Sequence, residues 1–317
     1  MTSSCASSST AGAPLKNAIY WWTSSKALAN RHPRSDNGPM HTLTVPAPAK
    51  LNLFLHVTGR RADGYHTLET LFVAIDIGDT ITLTSRDDGA IVRTAEVSGV
   101  PPQHDLAVRA ALALKQQTGC TLGADIAVAK RIPMGGGLGG GSSDAATVLL
   151  ALNRLWNVDL PRAELMRIGL SLGADVPFFL CGWPALGRGV GEFLTPMSLP
   201  TIWIALLVPR VAVSTASIFA APELTRNAQS AKMDVFSEGY GRNDLQPVAV
   251  ARFPDIATAL TMLRAHSRGA RMTGSGSCVF APFASEALAR AVVDARPASM
   301  QGFVARTLAR HPLAAFA

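Results

Sequence analysis

The sequence predicts a globular chain that mixes strands with helices and divides into two domains. Three observations lead to this prediction. The chain has 317 residues, 48% of them apolar, which is enough to bury one large core or two ordinary ones. Apolar residues alternate in some segments and recur at helical spacing in others. A glycine-rich loop at residues 133–141 separates a segment of the first kind from one of the second.

The N-terminal segment, residues 1–41, is predicted to be a disordered extension, because it is rich in Ser, Ala and Pro and shows no sustained hydrophobic period. Met40 stands directly before the first strand candidate, so we interpret the segment as a dispensable extension or the product of an upstream start codon. A transit peptide is the alternative, since the segment is Ser-rich and poor in acidic residues.

Composition and charge narrow the class of function. The net charge is +7, but no run of Lys and Arg exceeds two residues and aromatic residues make up only 6%. This pattern argues against a nucleic-acid-binding stripe and favours anionic substrates. No stretch approaches the roughly 18 apolar residues of a membrane span, and the four cysteines lack metal-like or paired spacing. We therefore expect a cytoplasmic protein with reduced thiols that binds neither nucleic acid nor membrane.

The first strand candidate spans residues 48–57. Alternation puts three leucines and Val57 on one face and Lys50 and Asn52 on the other. A lysine at the start of a strand is usually solvated. Because the rest of this strand is strongly apolar, we expect Lys50 and Asn52 to point into a polar cleft.

A turn follows this strand. Asp63-Gly64 is a hairpin signal, and Tyr65 and His66 lie at its exit. Taken alone, these two rings are typical of an edge-packed pair. Beyond them the pattern predicts an apolar run at 68–75, strands at 79–84 and 90–97, and a helix at 106–117.

The next strand leads into the glycine-rich loop. Ile126, Val128 and Ile132 share one face of this strand, and Pro133 closes it. After the loop, apolar residues repeat at helical spacing, and Ser142 or Ser143 is the expected helix cap.

Backbone N–H groups of the loop are free to converge on an anion at the positive end of the helix dipole, so the loop predicts a phosphate site. A Walker A loop is excluded, because Ser142 follows Gly141 where Lys is required. Gly135, Gly137 and Gly140 match the dinucleotide pattern only weakly, and protein-kinase signatures are absent. A flexible linker is the alternative, but linkers do not join a closed strand to an amphipathic helix.

A shorter helix is predicted at 161–172, followed by an isolated carboxylate. Asp175 is the only acidic residue between Glu164 and Glu192, and its surroundings are apolar. Such a carboxylate must be paired, hydrogen-bonded or functional. Helix capping is one interpretation, although little helical pattern follows Asp175. We favour a catalytic carboxylate paired with Lys50.

The C-terminal part predicts further strands and helices and a second glycine-rich loop. That loop has hydroxyls and amides that suit a phosphate as well as an ordinary turn. The elements are a strand at 202–208, a short capped helix at 214–219, a polar loop at 222–242, a helical stretch from Asn243, a helix at 253–266 and the second loop at 272–280, which enters a strand.

Four stretches occur in an order that resembles the GHMP small-molecule kinases, whose phosphate loop follows the pattern P-x-x-x-G-L-x-x-S-S. They begin at Pro48, Pro133, Gly173 and Thr273, and the resemblance runs from about residue 44 nearly to the C-terminus. It implies an α+β fold with its active site between two domains. These would be an ATP-binding domain at 42–186 and a ferredoxin-like domain at 187–317, preceded by the extension at 1–41.

The resemblance also implies roles for the motif residues. Asp175 matches the base that takes the proton of the substrate hydroxyl, with Lys50 beside it. ATP with Mg²⁺ is implied as the phosphoryl donor, with Ser142 or Ser143 near the metal and no dedicated carboxylate cage. The ATP-binding residues would be Pro133, Gly135, Gly136, Gly137, Leu138, Gly139, Gly140, Gly141, Ser142 and Ser143.

Residues 61–68 and 135–143 are most similar to the branch of this family that phosphorylates a cytidyl diphosphate sugar alcohol. This implies a cytosine held between the rings of Tyr65 and Phe219. The implied substrate-binding residues are Asn52, Tyr65, His66, Thr215, Phe219, Gly274 and Ser275. One departure is Asp105, where the family commonly has Asn, so a nucleotide contact is not carried over to that position.

Other interpretations stay open at this point. The runner-up is a mevalonate- or homoserine-type kinase of the same family, which the segment 63–66 argues against. A non-catalytic ligand-binding protein of this fold is disfavoured by the presence of both Lys50 and Asp175, and an RNA-binding protein by the scattered basic residues. We expect a monomer or weak homodimer whose partners are a small-molecule substrate and ATP.

Overall fold

A computed structural model of the chain describes residues 41–230 and 241–317. The predicted disorder of residues 1–40 and the middle of the predicted 222–242 loop lie outside these ranges.

A long antiparallel hairpin forms the centre of the molecule. Strand β1 spans Thr42–Arg60 and strand β2 spans His66–Arg86. The sequence pattern predicts an apolar run at 68–75 and a separate strand at 79–84, and this division is wrong because β2 is continuous. A Cβ on Gly78 would lie 2.6 Å from the carbonyl oxygen of Ala47, so the glycine allows a close approach of β1 and does not interrupt β2.

The helices of the N-terminal half pack against one another and against this hairpin and its neighbouring strands. Strand β4 pairs with β2 in an antiparallel manner and with the short strand β3 in a parallel manner. The bounds are β3 Ile91–Arg93, α1 Leu106–Thr118, β4 Gly123–Ala129, α2 Gly140–Leu155, α3 Arg162–Leu172 and α4 Val176–Cys181. The predicted strand at 90–97 is therefore much shorter than expected.

The alternation predicted that this strand extends to Ile132, but strand β4 ends three residues earlier, at Ala129. The reason is Asp79 of β2, whose Oδ1 accepts hydrogen bonds from the backbone N–H groups of Arg131 (2.5 Å) and Ile132 (2.8 Å). A side chain thus satisfies the amides that a strand neighbour would otherwise bind. The core beneath these elements includes Phe72, Leu83, Ile126, Leu149 and Trp156.

The C-terminal half has ferredoxin-like topology. Four of its strands pair in the order β10-β7-β9-β8, all antiparallel, with helices between β7 and β8 and between β9 and β10. The bounds are β7 Trp203–Val208, α5 Thr215–Phe219, α6 Gln246–Arg252, α7 Pro254–Arg264, β8 Arg271–Met272, β9 Val279–Phe283, α8 Glu286–Asp294 and β10 Gln301–Leu308.

The last strand joins the two halves. Thr307 and Leu308 of β10 pair with Ile75 and Ala74 of β2, so the strands of the described residues form one sheet. Strand β5, Ala185–Gly189, also pairs with β2, and strand β6, Phe193–Pro196, pairs with β5. The domain boundary at 186/187 stays a prediction, and it falls within β5.

Two features bear on the expected cellular context. Cys120, Cys181 and Cys278 are free thiols, and Cys5 lies outside the described residues. Among the helices within 41–230 and 241–317, none combines the length and apolar character needed to cross a membrane.

Candidate active site

An ion pair joins the first strand to the start of α4. Lys50 Nζ lies 3.3 Å from Asp175 Oδ2. The Lys50 side chain is 4% exposed and the Asp175 side chain 33% exposed, so the carboxylate is the member of the pair that a ligand can reach. The pairing expected from the sequence therefore forms, and the catalytic roles of both residues stay predictions.

Asp175 directly precedes a helix that the sequence pattern did not predict. Helix α4 begins at Val176, with Pro177 in its first turn, where a missing N–H group costs little. In the part of the chain that the structure describes, the Asp175 side chain makes no capping hydrogen bond to this helix. Capping therefore does not explain the carboxylate.

Lys50 is also held by neighbours on its own face. Its Nζ donates to Asn52 Oδ1 at 2.7 Å, and Asn52 Nδ2 donates to Thr70 Oγ1 at 2.8 Å. Irregularities in the β1 and β2 register flank this segment, between Pro48 and Lys50 and between Asn52 and Phe54. Such bulges commonly redirect side chains next to functional sites. The lysine position is thus fixed independently of Asp175.

The glycine-rich loop packs directly against Lys50. The backbone N–H of Lys50 donates to the carbonyl oxygen of Leu138 at 3.0 Å. A Cβ on Gly139 would lie 3.1 Å from Lys50 Cγ and 3.3 Å from Phe179 Cε2. Gly139 also has φ +70°, a conformation that suits glycine. The loop can therefore lie this close to the ion pair only with glycine at 139.

Helix α2 begins immediately after this loop, but its cap differs from the expected one. The N-cap is Gly139, and Ser142 and Ser143 lie within the first turn. Ser143 Oγ instead donates to the carbonyl oxygen of Pro48 at 2.6 Å, so tertiary contact with β1 uses the hydroxyl that the sequence assigned to capping. The first backbone N–H groups of a helix have no intrahelical partner, and an anion there also gains from the helix dipole. The start of α2 is therefore suited to bind an anion, and the phosphate site stays a prediction.

The second glycine-rich loop lies against the first. The N–H of Cys278 donates to the carbonyl oxygen of Gly136 at 3.2 Å, and a Cβ on Gly137 would lie only 2.4 Å from the carbonyl oxygen of Thr273. Thr273 Oγ1 accepts from the N–H of Asn52 at 2.9 Å. The two loops and the polar face of β1 thus meet at one place.

The predicted substrate residues of the C-terminal half lie beside this loop. Thr215 Oγ1 and Ser275 Oγ are 2.7 Å apart, and Gly274 precedes Ser275 in the same loop. Thr215 is the first residue of α5, whose N-cap Ser214 forms the expected capping hydrogen bond to Ser217 N.

The aromatic residues expected around a base come from two segments that are far apart in the sequence. The rings of His66 and Phe219 have centroids 5.1 Å apart with an interplanar angle of 30°. Tyr65 is 66% exposed and stands next to His66 at the exit of the turn. The structure therefore brings Phe219 next to His66, and the placement of a base between Tyr65 and Phe219 stays a prediction.

The comparisons with known proteins agree with this arrangement. The family model described as GHMP kinases N terminal domain matches residues 105–183, and the GHMP kinases C terminal model matches residues 222–301. A protein of Cupriavidus necator named 4-diphosphocytidyl-2-C-methyl-D-erythritol kinase is 56% identical over 284 residues, which cover 88% of this chain and 97% of that protein. The chain belongs to the GHMP kinase family.

Comparison with solved structures finds the same fold in kinases of this family. The crystal structure of a 4-(cytidine 5'-diphospho)-2C-methyl-D-erythritol kinase matches with a TM-score of 0.75 and 34% identity, covering 84% of this chain and 99% of that one. A homoserine kinase from Cytophaga hutchinsonii matches with a TM-score of 0.65 and 17% identity, covering 85% and 95%. At 17% identity, the second match shows the fold alone.

In this GHMP kinase a buried charge cluster lies at the start of α2, and the sequence did not predict it. Lys130 Nζ contacts Asp79 Oδ2 and lies 2.7 Å from Asp144 Oδ2, one turn into α2. Burial raises the pKa of Asp144 to about 7, although Lys130 acts in the opposite direction. The sequence does show Lys130 near the end of the alternating segment and Asp144 directly after Ser143. Nothing in their spacing, however, connects these two residues to Asp79.

Asp105, the departure from the family pattern, has an evident structural role. Its Oδ1 accepts from the N–H of Ala107 at 2.9 Å and caps α1, and its Oδ2 lies 3.1 Å from Arg93 Nη1. Both side chains of this pair are less than 10% exposed. The carboxylate is therefore engaged within the protein.

We expect Asp105→Ala to lower the free energy of unfolding by about 2–5 kcal/mol, because it removes a helix cap and leaves Arg93 with an unpaired buried charge. Asp105→Asn keeps the cap and is expected to cost less. Urea unfolding of the two variants measures the difference. Equal stability of Asp105→Ala and the unmodified protein would contradict this role.

Proposed function

We propose that this GHMP kinase transfers the γ-phosphoryl group of ATP to the 2-hydroxyl of 4-diphosphocytidyl-2-C-methyl-D-erythritol, a step of the non-mevalonate route to isopentenyl diphosphate. The observation that carries the kinase chemistry is the Lys50–Asp175 pair at 3.3 Å against the glycine-rich loop. The names of the relatives that are 54–58% identical over most of the chain support the substrate.

In the proposed reaction, the partly exposed carboxylate of Asp175 accepts the proton of the substrate hydroxyl. The hydroxyl oxygen then forms a bond to the γ-phosphorus as the bond between that phosphorus and the ADP oxygen breaks. Lys50, which Asn52 holds in place at 2.7 Å, neutralises developing negative charge on the transferred group. The loop amides and the start of α2 hold the ATP phosphates. Such positioning supplies most of the catalysis in phosphoryl transfer.

The residues present also fit a Mg²⁺ ion that enters with ATP. Within the described residues, there is no cluster of three or more acidic, His or Cys side chains that could hold a metal. Mg²⁺ in kinases is bound mainly by substrate phosphates and water with one or two protein oxygens. Ser142 is better suited than Ser143 to supply such an oxygen, because the Ser143 hydroxyl is hydrogen-bonded to the carbonyl oxygen of Pro48. Ser142 Oγ also lies near the segment that carries Asp175, 3.7 Å from the position that a Cβ on Gly173 would take. When bound, the ion would neutralise part of the negative charge of the ATP phosphates.

The cytidyl group is proposed to lie between Tyr65 and Phe219. The exposed ring of Tyr65 and the half-buried ring of Phe219 offer apolar faces, and His66, which follows Tyr65 in the chain, has its ring 5.1 Å from that of Phe219. Thr215, Gly274 and Ser275 would bind the remaining part of the substrate on the side of the second loop.

A panel of acceptor alcohols in a coupled ADP-release assay tests this function. We expect the cytidyl diphosphate sugar alcohol to be turned over and mevalonate and homoserine not. CMP should inhibit better than UMP. Efficient turnover of mevalonate or homoserine without any effect of CMP would overturn the substrate while leaving a kinase.

We expect Phe219→Ala to raise the KM for the cytidyl substrate by about 5- to 150-fold, since stacking of a base on an aromatic ring contributes roughly 1–3 kcal/mol. The KM for ATP should change little. Phe193→Ala is a matched control, because Phe193 is 67% exposed on strand β6 and lies outside the proposed site. An unchanged KM in a folded Phe219→Ala variant would contradict the stacking role.

A further inference from the structure

Arg226 lies in the segment 222–242 that the sequence predicted to be a polar loop, and it connects the two parts of the proposed base site. Its Nε donates to His66 Nε2 at 2.9 Å. Its Nη2 donates to the carbonyl oxygens of Phe219 at 3.0 Å and Ala221 at 2.6 Å, and its Nη1 to that of Leu224 at 2.9 Å. One guanidinium therefore binds the ring of His66 and the backbone of Phe219 at the same time.

The contact with His66 determines which ring nitrogen carries the proton. Arg is always charged and only donates hydrogen bonds, so the nitrogen it contacts must accept. With Nε2 accepting, the neutral imidazole carries its proton on Nδ1. Burial lowers the pKa of His66, and the charges of Arg226 and Arg60 lower it further, which favours the neutral ring at pH 7. Among the residues that the structure describes, Nδ1 has no hydrogen-bond partner, so its N–H is available to a ligand.

The same guanidinium holds the stacking ring. Phe219 is the last residue of α5, and its carbonyl is one of those that an ending helix leaves without an intrahelical partner. Arg226 binds this carbonyl, and the Phe219 ring lies 5.1 Å from the His66 ring. The ring that would stack on a base and the N–H that would read its edge are thus fixed relative to each other by one side chain.

We propose that Arg226 is a positioning residue that sets base specificity: it holds His66 as an Nδ1–H donor beside Phe219, so that the site selects cytosine over uracil. This inference rests on the proposed function. The ring nitrogen N3 of cytosine accepts a hydrogen bond, whereas N3 of uracil carries a hydrogen. An Nδ1–H donor that faces N3 therefore pairs with cytosine, while uracil would place two donors against each other and leave both unsatisfied.

Inhibition by CMP and UMP, measured on the full chain, is the first test. We expect Arg226→Met to reduce the preference for CMP over UMP by about 10-fold or more, because His66 is then free to present either nitrogen. At saturating substrate kcat should change much less than KM, since Lys50 and Asp175 are untouched. Arg226→Lys keeps the positive charge but lacks the planar, forked guanidinium, so it should lose the preference for CMP as well. This second variant keeps the test valid if Arg226→Met fails to fold.

Arg252→Gln is the matched control. Arg252 also binds α5, through the carbonyl oxygen of Ser217 at 3.0 Å, and pairs with Glu223, but the structure gives it no bond to His66 within the described residues. This variant should keep the CMP preference. If Arg252→Gln loses the preference as fully as Arg226→Met, support of α5 alone explains the effect and the role of Arg226 is overturned.

Nitrogen NMR of the His66 side chain is the second readout, and it does not depend on the substrate. The unmodified protein should show a single tautomer with the proton on Nδ1. Arg226→Met should show a mixture, with a His66 pKa closer to its ordinary value because one neighbouring positive charge is removed.

The outcomes separate the two proposals. If the unmodified protein does not turn over the cytidyl substrate, the proposed substrate fails and the specificity role fails with it. If it turns over this substrate but does not distinguish CMP from UMP, only the specificity role is overturned. If it prefers CMP and both Arg226 variants keep that preference with the Nδ1–H tautomer, the proposed substrate stands and only the role of Arg226 is overturned.

Discussion

Asp175→Asn is expected to lower kcat by about 100- to 10,000-fold, the range typical for loss of a general base. The amide keeps the shape of the carboxylate but cannot accept the proton of the substrate hydroxyl. Lys50 should stay in place, because its Nζ also donates to Asn52 Oδ1 at 2.7 Å. ATP binding should survive, since the loop amides and not Asp175 are proposed to hold the phosphates. Single-turnover kinetics and ATP titration measure the two effects separately.

Asp88→Asn provides the control for this experiment. Asp88 is also paired with a basic side chain, Arg86, but it is 54% exposed and lies in the turn after the end of β2. Its replacement should leave kcat unchanged, because exposed ion pairs contribute little. A kcat close to normal in folded Asp175→Asn would remove the assignment of Asp175 as the base.

The parts of the site that the sequence predicted are those encoded in short-range patterns. Alternation in β1 put Lys50 and Asn52 on one face, and the structure joins them by a direct hydrogen bond. The isolation of Asp175 in an apolar stretch indicated a charged partner, and Lys50 is that partner at 3.3 Å. The order of strand, glycine-rich loop and helix was predicted because each element has a local period.

The features that the sequence did not predict depend on contacts between distant segments. Ser143 does not cap α2 because Pro48, 95 positions away, offers its carbonyl oxygen. Arg226 and His66 are 160 positions apart, and no spacing rule joins them. The continuity of β2 across Gly78 likewise depends on the approach of Ala47. In each case tertiary packing decides between local alternatives that the sequence leaves equally open.

The contact between the two glycine-rich loops allows a prediction in which one glycine serves as the control of another. Gly135 and Gly137 have similar backbone conformations, with φ +71° and +78°. A Cβ on Gly135 would meet no atom within 4 Å, whereas a Cβ on Gly137 would lie 2.4 Å from the carbonyl oxygen of Thr273. An alanine at either position introduces the same backbone strain of about 1–2 kcal/mol. Only at Gly137 does it also separate the two loops.

We therefore expect Gly137→Ala to raise the KM for ATP by about 5- to 150-fold more than Gly135→Ala does, which corresponds to the roughly 1–3 kcal/mol that overpacking of a tight contact costs. The KM for the acceptor should rise with it, because Thr273 binds Asn52 and the same loop carries Gly274 and Ser275. Steady-state kinetics at fixed, saturating levels of the other substrate measure both constants. Equal effects of the two alanines would mean that backbone strain alone explains the loss, and that the contact between the loops does not position the ATP phosphates.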